Sequence, residues 1–250
     1  MNAALRMASI ALAMLLTIPA GLPPAFAADD VEATGKDLTL IFRSARKVIS
    51  DSQDLINDAS KGDKGLSAAA VIEKTKANYK VAAGTDLNLT DDGSPTAKAR
   101  TALINAVQVT MDEAQALINE PGKGFKGFLP AVFGGRVANN FSTAMAGTFA
   151  IKLTAPKAYV RNRANRPDEW EDKVIESMFK QPGYEKGKAY AETVPVKGRA
   201  AYRYILPEYY GASCLACHGD PKGEVDITGG KKEGAKLEEL GGAISLIIYQ

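Results

Sequence analysis

Apolar positions from Leu38 onward run Leu38, Ile41, Phe42, Ala45, Val48, Ile49, Leu55 and Ile56. This is the i, i+3, i+4, i+7 stripe of a long amphipathic helix, with Arg43, Arg46, Lys47, Asp51 and Asp54 on its other faces. Ala28 to Thr34 reads as a polar lead, and Gly62 and Gly65 as the stop. Leu66 to Ala83 predicts a second helix ended by Gly84, with a lysine-rich outer face (Lys74, Lys76, Lys80). Thr85 to Pro95 is a polar loop. Thr96 to Asn119 predicts a third helix, stopped by Glu120-Pro121-Gly122. No internal repeat is present.

The pattern changes at Gly122, where glycine and aromatic residues rise. A short helical piece from Gly135 to Met145 leads into Thr148–Thr154, which alternates like a strand. A polar loop follows from Arg161. Pro167 and the acids Asp168, Glu169 and Glu171 then suit the start of a helix, whose apolar stripe is Trp170, Val174, Ile175, Met178 and Phe179. Ala189–Val194 and Ala200–Leu206 read as strands joined through Pro195–Arg199 as a hairpin. Gly242–Tyr249 is a further strand, alternating only at its start. The expected fold class is α+β, with a helical region over 28–120 and a sheet-containing region over 121–250, the two forming one compact domain.

The first residues read as an export signal: Arg6, an apolar run from Ala8 to Ile18 too short to span a bilayer with ease, and Ala25-Phe26-Ala27 as a small-x-small cleavage site. Cleavage after Ala27 leaves Ala28–Gln250; an uncleaved anchor is the other reading. No later stretch approaches the roughly 20 apolar residues of a spanning helix. The chain has 31 Lys and Arg against 29 Asp and Glu. A balance this near neutral gives no argument for nucleic acid or a membrane surface. Lys222, Lys231, Lys232 and Lys236 alternate with Glu224, Asp226, Glu233, Glu238 and Glu239, which reads as a solvated mixed surface.

Chemistry concentrates in Cys214-Leu215-Ala216-Cys217-His218. The chain has two cysteines and one histidine, and all lie here. Cys-x-x-Cys-His is the attachment pattern of a c-type haem: thiols a turn apart add to the two porphyrin vinyl groups, and the adjacent histidine becomes the proximal iron ligand. A redox dithiol, or a Cys214–Cys217 disulfide in a non-haem exported interaction protein, competes with this reading, but the strand-then-helix setting of a reductase motif is missing. Zinc competes less well, because a structural site needs four ligands. Covalent haem also agrees with export, since such haem is attached outside the cytoplasm.

His218 fills one axial position, and no second histidine exists. The methionines beyond the signal are Met111, Met145 and Met178. Met111 and Met178 lie on apolar stripes and read as core. Met145, at a bend before Ala146-Gly147, is the better candidate for a sixth ligand; lysine, water or an open site remain. Arg161, Asn162 and Asn165 suit haem propionates, or equally loop structure and a helix N-cap. Tyr209 and Tyr210 suit the porphyrin edge or simple packing.

These residues resemble a known family: exported single-haem c-type domains with a PAS-like fold, many catalogued only as a domain of unknown function. Some form the extracytoplasmic sensor part of bacterial kinases and chemoreceptors. The resembling stretches are Lys126–Phe133, Arg161–Glu171 (RNRANRPDEWE), Leu206-Pro207 ahead of Cys214–Pro221, and Gly241–Ser245. The Arg-Asn-x-x-Asn-x-Pro-Asp-x-Trp-Glu segment is the more specific of these. Where this chain has Arg163 the family usually has proline. The resemblance implies a central antiparallel sheet flanked by helices, one covalent haem c, and redox or ligand sensing or electron transfer, with no catalytic turnover. A peroxidase-type enzyme would normally need a distal acid–base group, often histidine. With no kinase or methyl-accepting segment in the chain, signalling would pass through a redox or signalling protein partner. The heptad-like spacing of Leu38–Ile56 allows a homodimer seam, although packing within its own domain is commoner.

The first prediction concerns export. Amino-terminal sequencing of protein recovered outside the cytoplasm gives Ala28 as the first residue. Full-length protein in the membrane fraction would instead mean a retained anchor.

Overall fold

The computed structural model describes residues 28–250; the predicted export signal lies outside them. Seven α-helices and four strands follow in order: α1 (Ala28–Asp51), α2 (Gln53–Asn57), α3 (Ala68–Ala83), α4 (Pro95–Ile118), α5 (Pro130–Ala144), β1 (Phe149–Thr154), α6 (Glu169–Val174), β2 (Tyr190–Val196), β3 (Arg199–Tyr209), α7 (Leu215–His218) and β4 (Leu240–Tyr249). The strands form one antiparallel sheet in the order β1-β4-β3-β2. The fold is α+β, as the pattern predicts.

The predicted polar lead is instead the first part of α1. Gly35 suggests a break, yet it serves a close approach: a Cβ there would lie 2.8 Å from the Tyr204 ring on β3. Val31 and Thr34 are buried, and the Thr34 hydroxyl lies 2.7 Å from that of Thr96 on α4. The helix ends earlier than the glycines suggest, at Asn57 after a break at Ser52. Its stripe (Leu38, Ile41, Phe42, Ala45, Val48, Ile49, Ile56) is buried in the chain's own core. Of the two readings of the stripe, a seam between copies or packing within its own domain, the structure shows the second.

The other helices start and stop on ordinary signals. Ser67 caps α3 by accepting from Ala70 N–H, and Gly84 ends it in the left-handed region. Ser94 caps α4, with Pro95 in its first turn. The buried Asp37 carboxylate accepts from Tyr79 of α3 and Arg100 of α4, which ties three helices together.

The sheet is covered on both faces. On one side Phe149, Ile151, Leu153, Tyr204, Leu206, Ile244, Leu246 and Ile248 join a core shared with α1 and α5, which α3 and α4 back. On the other, Ile205, Leu240 and Ala243 meet Val174 of α6 and Ile175 and Phe179 of the π-helical turn after it. A central strand buried on both faces reads as a continuous apolar run, which is why β4 alternates so little. β2 and β3 join through Lys197-Gly198, both at positive φ, the two-residue turn that matches strand twist. Among the described residues no helix is long and apolar enough to cross a membrane.

Phe42 is fully buried where α1 meets this core. Phe42→Ala lowers the unfolding free energy by about 3–5 kcal/mol, the usual cost of emptying a large aromatic site, as read by urea denaturation. A loss under about 1 kcal/mol, near the small end for core truncations, would show that α1 does not carry the core.

Candidate functional site

The Cys-x-x-Cys-His stretch lies at one end of the sheet, between β3 and β4. Two contacts bring α1 to its leading edge. Glu208, near the end of β3, accepts from Arg43 and from Arg46, the latter at 2.7 Å. Ser50 and Ser213 hydroxyls meet at 3.0 Å. A 3₁₀ turn (Ala212–Cys214) then runs into α7, a single turn carrying Cys217 and His218. Gly219 must follow: a Cβ there would lie 2.6 Å from the Leu215 carbonyl oxygen.

Both cysteines are free and half-buried. Burial, with Asp226 nearby, pushes the Cys217 thiol above its ordinary value. The His218 ring lies 5.1 Å from the Tyr210 ring, tilted 31°. Its Nδ1 is 2.8 Å from Glu233 Oε2. Nε2 has no protein partner shown among the described residues. The imidazole is therefore held on one nitrogen and on one ring face, with the second nitrogen open.

Residues 220–239 wrap this turn. Ala235 N–H donates to the His218 carbonyl at 2.8 Å, and Glu238 N–H to the Tyr210 carbonyl at 2.8 Å. Asp226 sits in a tight turn, its Oδ1 accepting from Thr228 N–H and hydroxyl at 2.7 and 2.6 Å. Tyr159 donates to Glu239 at 2.6 Å.

Arg161 joins these pieces. Its Nε donates to Glu233 Oε1 at 2.6 Å and Nη1 to Asp226. Nη2 lies 2.8 Å from the Cys217 carbonyl oxygen and 2.9 Å from Glu233 Oε2. Burial alone would raise the Glu233 carboxyl, but hydrogen bonds from Arg161 and His218 outweigh it and hold the group below its usual range. Burial likewise acts upward on Asp226, yet bonds from Thr228 and Arg161 bring it down to about 2.

The expected site residues divide. Cys214, Cys217, His218 and Tyr210 come together. Arg161 also reaches the motif, but its guanidinium is shared between two of the chain's own carboxylates instead of lying free for a propionate. Asn162 caps the 3₁₀ turn Arg163–Asn165 by accepting from Ala164 N–H, and lines a shallow cleft of about 420 Å³ with Arg136, Asn139 and Asn140 of α5. Tyr209 packs on the α6 side of the sheet.

Met145 needs correction as a sixth ligand. It ends α5, and its carbonyl accepts from Phe149 N–H. Phe149 pairs with Ile248, at the far end of β4 from Leu240, which pairs beside the motif with Tyr209. At roughly 3.3 Å per residue those ends are about 26 Å apart. Met111 is core in α4, and Met178 packs with the α6 cluster.

Glu233 and Asp226 were not legible as site residues. Interleaved lysines make them look like solvated surface, whereas Asp226 is buried and the Glu233 side chain is 12% exposed. A faint signal existed at Asp226-Ile-Thr-Gly-Gly, an acid between apolar neighbours followed by turn residues. The remainder of RNRANRPDEWE is structural. Asp168 and Glu171 form a reciprocal capping box. Glu171 is fully buried and pairs with Arg203 and Lys152, while Arg203 lies over the Trp170 ring. Among the described residues no cluster of three or more His, Cys, Asp or Glu side chains is arranged to hold a metal ion by itself.

The motif thus brings two thiols and one imidazole onto two successive turns at one end of an α+β domain. The chain belongs to the Tll0287-like family, whose sequence pattern matches residues 27–248. Among solved structures it is similar to the cyanobacterial heme-protein Tll0287, at 19% identity and a TM-score of 0.40, over 60% of this chain and 91% of that one. No curated protein matches the chain.

Arg161→Met provides the test of the clamp. A carboxyl whose folded value is depressed stabilises the fold above its ordinary range near 3.8 and loses that contribution as pH falls through about 2. Carbon-13 NMR titration therefore gives an Asp226 midpoint near 2 in the native chain and a higher one in Arg161→Met. The variant also loses amide hydrogen-exchange protection across 219–239. An unchanged midpoint with unchanged protection would rule out the clamp.

Proposed function

We propose that the chain is an exported monohaem c-type protein, with one haem c joined to Cys214 and Cys217 and its iron held by His218 Nε2. The observation that carries this is the open second nitrogen of the only histidine, on the same pair of turns as two free thiols. Membership of a family named for a haem protein supports it. So does the setting of the motif. Val225, Ile227 and Leu237, in the segment that wraps it, are large apolar side chains left exposed.

Bound haem would supply a one-electron iron couple. The protein residues would set ligation, burial and access. Cys214 and Cys217 would anchor the ring, His218 would be the proximal ligand, and Tyr210 would fix the plane of the imidazole. No second histidine is present to act as a distal acid–base group, so we favour redox or small-ligand sensing, or electron transfer to a protein partner, over peroxidase-type turnover. The site is proposed to work outside the cytoplasm, without nucleic acid and without a membrane span after signal cleavage. The PAS-like comparison belongs to this same reading. A homodimer would have to use a surface other than the buried stripe of α1.

The test is an optical spectrum of the mature chain made in a host with haem-attachment machinery, oxidised, reduced, and reduced under carbon monoxide. Haem bands that survive acid–acetone extraction, and that are lost in Cys214→Ala/Cys217→Ala, are expected. Low-spin bands indifferent to carbon monoxide favour the electron carrier; bands that shift favour a ligand sensor. A colourless product would overturn the proposal.

A further inference from the structure

Both nitrogens of His218 have distinct surroundings, and the difference has a cause. Nδ1 faces Glu233 Oε2 at 2.8 Å. Both oxygens of Glu233 also accept from Arg161, at 2.6 and 2.9 Å. A carboxylate held by a guanidinium is an acceptor only, so Nδ1 must be the donor. In the neutral ring the lone pair then lies on Nε2. That is the reverse of the form a histidine side chain favours in free solution, where the proton sits mostly on Nε2.

The segment carrying Glu233 is built to reach this nitrogen. Two residues later, Ala235 N–H donates to the carbonyl of His218 itself, which sets the two segments in register. Between them Gly234 has φ +78, and a Cβ there would come within 2.9 Å of Lys222 Cβ. A side chain at 234 would thus push Glu233 away from the ring. Tyr210 holds the imidazole from one face, and needs Gly241 to do so: a Cβ at 241 would lie 2.8 Å from the Tyr210 ring.

We infer that Glu233 is the positioning residue of this site: it keeps the His218 proton on Nδ1, aims the Nε2 lone pair outward, and strengthens Nε2 as a donor to iron. The statement about iron rests on the haem reading above; the statement about the proton does not. A hydrogen-bonded carboxylate behind a ligating imidazole raises its basicity and fixes its orientation. A stronger donor favours ferric iron, so the carboxylate lowers the reduction potential and Arg161, by sharing its charge, moderates the effect.

The test has two arms. In the full mature chain made without haem, the single histidine gives one set of long-range ¹H–¹⁵N correlations. With the ring neutral, these show a protonated Nδ1 and a bare Nε2. In Glu233→Ala they move toward the solution form, protonated on Nε2. A native chain already protonated on Nε2 would overturn the inference, as would a variant indistinguishable from the native chain. In the haem-loaded chain, Glu233→Gln shifts the potential to a more positive value, and Glu233→Asp returns it toward the native one. Equal potentials in all three would overturn the iron part alone. If the chain takes up no haem, the proposed function fails while the nitrogen shifts still decide the role of Glu233.

Discussion

Arg161 brings one delocalised positive charge to two carboxylates, Asp226 and Glu233, and to the carbonyl of Cys217. A planar guanidinium offers its donors in a rigid fork, so meeting three acceptors at once fixes their relative positions and not merely their charge balance. The segment from 220 to 239 has few buried apolar side chains of its own and would otherwise be free to lift from the sheet. Held by Arg161, it brings Glu233 behind the imidazole and covers one side of the motif turn. The site is thus ordered mainly by polar contacts, in a chain whose remaining parts are ordered mainly by apolar packing.

Those apolar parts still decide where the turn can be. α1 lies along one face of the sheet, and its polar edge reaches the end of β3 through Arg43, Arg46 and Ser50. Beneath the opposite face, the capping box of α6 and the Glu171–Arg203 pair hold a second, smaller cluster in place. Arg161 stands just before that element. One loop therefore serves both the stability of the sheet's outer face and the geometry of the thiol-bearing turn.

Much of this is written in local pattern. The spacing of Leu38 to Ile56 follows from burial of one helix face, the serine and glycine ends of α3 from capping, and the apolar run of β4 from burial on both faces. The motif itself is legible because its chemistry fits in five consecutive residues. What escapes local pattern depends on contacts distant in sequence. Gly35 looks like a helix break until Tyr204 is known to lie on it. Asp226 and Glu233 look like ordinary surface acids until Arg161, more than sixty residues earlier, is placed between them. Met145 looks suited to a ligand from its bend alone, and only the strand register shows it at the wrong end of β4. Within RNRANRPDEWE, residue type could not say that Arg161 serves the motif while Asp168 and Glu171 serve a cap.

The strand order has a consequence for the order of events in the life of the chain. β4 is the last strand in sequence, yet it sits between β1 and β3 and is buried on both faces. Until it arrives, β1 has no neighbour in the sheet, and β3 alone stands between the two clusters. The sheet can therefore close only when a segment later in sequence than the thiol turn is in place. The same topology that seals the finished molecule puts its two thiols on a segment that precedes the strand closing the sheet.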